Sequence, residues 1–173
     1  MKKLFTKPWL VFLGALSLGV SLHFLYDLLP NPLTALISPV KESLWEHIKI
    51  LYYPLLVSAL ILGRGAPPLR TARLLVIPPV CLLMLLIAWV YHIPLRGDSL
   101  LFDLILYAVM MAMGFLLPRW LWPIGDWPGL PTTASALMIL LAVLLVLFTF
   151  FPPNRILFAD LTEDVRTFLT IPY

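Results

Sequence analysis

Apolar runs long enough to cross a lipid bilayer fill most of this chain, and they leave few folds open to it. The first extends from Pro8 to Leu29. At about 1.5 Å per residue, such a run reaches across a hydrocarbon core of roughly 30 Å. Runs of similar length follow at about residues 42–62, 74–92, 100–117 and 134–151, with proline or glycine in the connections between them. Where water is absent, each must satisfy its own backbone polar groups, and an α-helix does this within one segment. The sequence predicts an all-α integral membrane protein, a single domain over residues 1–173, built as a bundle of five transmembrane helices. Composition agrees. Of the 173 residues 61% are hydrophobic and only 12% charged, about half the charged fraction of a soluble domain. No basic run suits nucleic acid. The single cysteine, Cys81, has no partner for an intrachain disulfide.

Lys2, Lys3 and Lys7 precede the first run, which imitates a secretory signal. The run is too long for a signal core and no small-x-small cleavage site follows it, so an uncleaved first helix is expected. Gly14, Ser17 and Ser21 within it suggest a close helix contact. Ser38 is expected to cap the second helix, with Pro39 at its first position and Glu42 close behind. Pro54 predicts a kink there, and Pro78 and Pro79 a kink or a late start in the third helix. Trp120, Trp122 and Trp127 lie in a loop at 119–133 and read as interface anchors, as does Trp45. In the tail, residues 154–173, Leu157, Phe158, Leu161, Val165, Phe168 and Leu169 recur at helical spacing, which predicts a short amphipathic segment at the interface.

Five crossings place the termini on opposite sides of the membrane. Lys2, Lys3, Lys7, Arg64, Arg70, Arg73 and Arg119 fall on one side, and the positive-inside rule makes that side cytoplasmic. The C-terminus is then extracytoplasmic. Every histidine, and every acid except Asp126, falls on the outer side. His23 and Asp27 share a face of the first helix. Glu42, Glu46, Lys49 and Tyr53 form a stripe on the second, with His47 turned about 100° away beside Ser43. His92 and Asp103 end the third helix and begin the fourth.

These residue types point to a divalent metal such as zinc, which binds imidazole nitrogen and carboxylate oxygen. His23, Asp27, Glu46, His47 and His92 are the candidate ligands, with Asp103 as a further carboxylate. Glu42 and Glu46 are the candidate general bases for a site that acts on a lipid or a small molecule. No H-E-x-x-H spacing is present. Two other readings fit the same residues. One is a structural pairing network, Lys49 with Glu46 or Glu42 and His23 with Asp27, in an accessory protein whose polar cluster only holds the helices. The other is a transporter or ion pathway. Ser17 and Ser58 are the best polar residues of the inner halves, so that path needs a homo-oligomer or a partner. Membrane lipid is the expected surrounding, and Arg64, Arg70 and Arg73 are expected to touch lipid phosphates.

The pattern HFLYD at His23–Asp27 followed by SPVKESLWEHIK at Ser38–Lys49 resembles an uncharacterised family of small bacterial membrane proteins. In that family a P-V-N-E-S-x-W-E-H-x-K segment follows a first helix bearing H-x-x-Y. The likeness spans about Leu22 to Pro54, and Lys41 stands where the pattern has asparagine. The resemblance implies a polytopic protein of a bacterial plasma membrane and implies no activity.

Overall fold

A computed structural model describes residues 7–161. Among these residues the chain is helical, with no strand. The elements are α1 (Pro8–Leu28), α2 (Pro32–Ile37), α3 (Ile48–Leu62), α4 (Pro67–His92), α5 (Leu100–Leu116), α6 (Pro118–Leu121) and α7 (Leu130–Phe150), with single 3-10 turns at Trp122–Ile124 and Ile156–Phe158. Four stretches are long and apolar enough to cross a membrane by length and composition: Pro8–Leu28, Pro67–His92, Leu100–Ile124 and Leu130–Phe150. The 15 residues of α3 rise only about 22 Å.

Despite its shortness, α3 is the inner helix. It packs against α1, α4 and α5, while α4 also meets α7. Ile48, Leu51, Tyr52, Leu55 and Ala59 of α3 are buried, and Tyr52 donates its hydroxyl to the Met138 carbonyl of α7 at 2.9 Å. The long helices turn large apolar side chains outward, among them Leu86, Ile105 and Ile139. Membrane lipid can receive such faces.

Helix boundaries differ from the sequence expectation for identifiable reasons. The second long helix begins at Ile48 rather than at Glu42. Its would-be first turn is committed elsewhere: Trp45 N–H donates to the Leu157 carbonyl at 3.1 Å, and the Glu42 carbonyl accepts from Leu161 N–H at 3.0 Å. Ser38 closes α2, its N–H bonded to the Thr34 carbonyl. The N-cap is Asn31, which exchanges bonds with Thr34 in a capping box. The third long helix starts early, at Pro67, where proline suits the first turn, and it carries Pro78 and Pro79 within its 26 residues. Gly129, at φ 81°, starts α7 four residues before the expected Ala134. Of the tail, the described part forms the Ile156–Phe158 turn, and residues 162–173 of the expected amphipathic segment lie outside the described residues.

The close helix contact also lies elsewhere on α1. Gly14, Ser17 and Ser21 are exposed, whereas Val11, Ala15, Gly19 and Leu22 form the buried stripe. Pro54 has no N–H for the Ile50 carbonyl, its i−4 partner, and that carbonyl faces Gly19. A Cβ on Gly19 would lie 2.5 Å from it, and closer still to the Tyr107 hydroxyl. Both obstacles are anchored, since the Tyr107 hydroxyl donates to the Leu16 carbonyl at 3.0 Å. Gly19→Ala is therefore expected to destabilise the bundle by about 1–3 kcal/mol and Gly14→Ala to be neutral, as read by thermal unfolding in detergent.

Candidate functional site

At one end of the bundle the last turns of α1, α4 and α7 meet the starts of α3 and α5. The Lys49 ammonium organises this end. Lys49 is 0% exposed, and it donates to the Ala35 carbonyl at 2.7 Å, the Ser38 carbonyl at 3.0 Å and Glu46 Oε2 at 2.6 Å. Its three donors thus have three acceptors. Two of these are carbonyls at the C-terminal end of α2, where helix geometry leaves them unpaired. Tyr53 donates to a third such carbonyl, that of Leu36, at 2.7 Å. Glu46 is equally engaged: Oε2 also accepts from Val40 N–H at 3.0 Å, and Oε1 lies 2.9 Å from Thr149 Oγ1 of α7.

The same loop places the first histidine. Tyr26 N–H donates to Ser38 Oγ at 3.0 Å, and the Ser38 hydroxyl donates on to the Leu22 carbonyl. An α-helix ordinarily pairs those two backbone groups directly, so the loop serine is inserted into the ladder of α1 at the turn bearing His23. His23 stacks on Phe24 and meets the His47 ring at a centroid distance of 5.1 Å. His23 Nδ1 is buried and has no hydrogen-bond partner among the described residues.

His47 precedes α3. Its Nδ1 lies 2.8 Å from the Ser43 carbonyl, which can only accept, so Nδ1 carries a proton. Nε2 then faces Glu42 Oε2 at 3.2 Å. A neutral imidazole would point a lone pair at that carboxylate, so the geometry calls for a positive charge on or beside Nε2. Burial is the largest influence on His47 and disfavours its protonated form. The Glu42 hydrogen bond, the Ser43 carbonyl and the charges of Glu42 and Asp103 together outweigh it and raise the pKa. The His47 hydrogen bond is the largest influence on Glu42 and holds its carboxyl below the ordinary value. Partial burial and Asp160 oppose this, and His23 adds to it.

One ring nitrogen of His23, one of His47 and a Glu42 oxygen lie within 4.8 Å of one another. The other residues singled out in the sequence lie outside this convergence. Asp27 is exposed on the last turn of α1. Glu46 belongs to the Lys49 network. His92 donates from Nδ1 to the Gly97 carbonyl and presents Nε2 to Asp103 Oδ1, each at 2.9 Å. Gly97 reaches that position by packing its Cα against the Tyr91 ring, where a side chain would collide. Of the expected pairings, Lys49–Glu46 is formed, while His23 meets His47 and Glu42. Trp45, which the sequence reads as an interface anchor, is 6% exposed, held between Phe148 and Phe158 at centroid distances of 5.3 and 5.4 Å. Thr149 has no signal in the sequence, since it acts about 100 residues away from Glu46, whereas the 157–161 stretch, read as part of an amphipathic segment, straps this end through Trp45 and Glu42.

Residues 3–64 match the model of a family of unknown function, DUF6512. The matched stretch carries α1, α2 and α3, and with them His23, Glu42, His47, Glu46 and Lys49. It covers about a third of the chain, and within that span the chain is similar to the family. No curated protein and no solved structure matches the chain.

Two outcomes test this geometry. Lys49→Ala leaves the buried Glu46 unpaired and is expected to cost about 3–5 kcal/mol, whereas Lys49→Met with Glu46→Gln recovers much of the loss; chemical denaturation in detergent reads both. The Glu42–His47 pair should act in a pH window. The raised His47 contributes stability that is full below its unfolded value of about 6.5 and is lost as pH rises through its folded value. The lowered Glu42 contributes stability that is present above its unfolded value of about 4.3 and is lost as pH falls through its folded value. The stability deficit of Glu42→Gln is therefore largest at about pH 5–6 and shrinks in alkali, as thermal unfolding across pH in the presence of a chelator will show.

Proposed function

We propose that the protein is a multi-pass membrane protein, with α3 as a fifth crossing, that binds a divalent transition metal on His23, Glu42 and His47. The supporting observation is the convergence of these three groups from α1 and from the turn before α3. Their chemistry suits zinc, whose water-activating sites often have two histidines and one carboxylate and keep a fourth position open. The donors fit in two further respects. The buried His23 Nδ1 lacks a partner. The 3.2 Å between His47 Nε2 and Glu42 Oε2 is close to the roughly 3.3 Å that separates two ligands of a tetrahedral ion at bond lengths of about 2.0–2.1 Å. The Ser43 carbonyl, by accepting the Nδ1–H hydrogen bond, orients Nε2 as second-sphere groups of metal-bound histidine do.

When bound, such an ion lowers the pKa of a coordinated water toward neutrality and supports hydrolysis. In this reading Glu42 is a ligand, and Asp103, whose charge reaches His47 and which His92 holds, is a carboxylate that can accept a proton. The substrate is a lipid or a small molecule reaching the end of the bundle that the charge distribution makes extracytoplasmic.

Elemental mass spectrometry of detergent-purified protein tests the reading. About one zinc per chain is expected in wild type, with loss in His23→Ala and His47→Ala and retention in Asp27→Asn and His92→Gln. No metal in wild type after zinc supplementation overturns it and leaves Glu42 and His47 as an ion pair that holds α3 to its preceding turn.

A further inference from the structure

At the other end of α4, a buried cation has no anion. Arg73 lies 19 residues before His92 on α4, about 28 Å along the helix axis. Its side chain belongs to a residue only 8% exposed. Its Nε is buried with no hydrogen-bond partner, and no ion pair reaches its guanidinium among the described residues. On one side it meets an aromatic face, with Cζ 5.8 Å from the Phe115 ring centroid. The charge it interacts with is another cation, Arg119, which is exposed on α6. An aromatic face offsets part of the cost of burying a guanidinium. A second cation adds to that cost.

The surroundings indicate which anion would complete the group. α4 packs here against α6 and the Trp122–Ile124 turn. Trp120, Trp122 and Trp127 turn their rings outward, Trp120 being 79% exposed. Exposed indoles beside long apolar helices mark the depth of lipid headgroups, where phosphate is the abundant anion. A guanidinium offers paired donors that match phosphate oxygens.

We infer that Arg73 and Arg119 form a binding site for the phosphate of an anionic lipid headgroup, at the end of the bundle opposite the histidine cluster. Arg73 supplies a preset, desolvated donor from below. Arg119 closes on the headgroup from the exposed side. This site is independent of the metal reading, since it shares no residue with it.

Native mass spectrometry of the full-length protein in mild detergent, titrated separately with phosphatidylglycerol, phosphatidylcholine and inorganic phosphate, tests the inference. Phosphatidylglycerol should be retained well above phosphatidylcholine. Arg119→Gln, at an exposed position, should keep the fold and weaken that retention about tenfold, the worth of one charge-assisted hydrogen bond. Arg73→Gln should do the same, and Arg73→Lys should restore it only in part because a lysine lacks the fork. Equal retention of the two lipids, or unchanged retention in a folded Arg119→Gln, overturns the proposal. Arginine-dependent binding of inorganic phosphate without any of phosphatidylglycerol overturns the lipid assignment and makes the free anion the ligand. If Arg73→Gln fails to fold, the Arg119 variant alone decides.

Discussion

The buried Lys49 ammonium is the interaction on which the histidine end of the molecule depends. A cation removed from water must find all its hydrogen bonds inside the protein, or the fold does not form. Lys49 finds them on α2, on the loop after α2 and on Glu46. Satisfying one side chain thus ties the end of α2 to the turn before α3, a link that the Val40 N–H to Glu46 bond reinforces. Glu46 then extends the network to α7 through Thr149. Ser38, whose carbonyl is bonded by Lys49, uses its hydroxyl to enter the ladder of α1. The position of His23 against His47 follows from that chain of contacts.

The two ends of the bundle solve opposite problems. At the histidine end, acids and bases are matched within the protein: Lys49 with Glu46, His47 with Glu42, His92 with Asp103. What remains unmatched there, besides the Trp45 indole nitrogen, is the Nδ1 of His23. At the far end the unmatched atom is the Nε of the Arg73 guanidinium. The first kind of deficit suits a cation and the second an anion. A membrane protein can leave either open, because metal ions reach it from water and phosphates stand at the lipid surface.

A short α3 makes this arrangement feasible. A longer helix beginning at Glu42 would spend the backbone of residues 42–47 on its own first turn and hold Glu42 and His47 at fixed helical angles. Because the Glu42 carbonyl and the Trp45 N–H are bonded instead to the segment at 157–161, the stretch stays a turn and Glu42 meets His47 at 3.2 Å. The strap also covers Trp45, which fills the space between α7 and the 3-10 turn with its two phenylalanines. The polar end is thereby built on packed apolar contacts.

The sequence by itself determined the helical class, the long apolar stretches and the gathering of histidines and acids at one end. Each rests on a local quantity: hydropathy over about 20 residues, or position relative to a helix end. It also contained the Lys49–Glu46 pair, because a three-residue spacing is short enough to read. The tertiary structure decided what depends on distant partners. Ser38 reads as a helix start until the carbonyl of Leu22 and the N–H of Tyr26 are beside it. Asp27 reads as the companion of His23 through spacing alone, yet rotation of α1 turns it outward and gives His23 to His47. Gly14 and Gly19 are indistinguishable in sequence until a carbonyl freed by Pro54 comes to rest on one of them. Periodicity sets which residues share a face; only the packing of one helix on another sets where that face points.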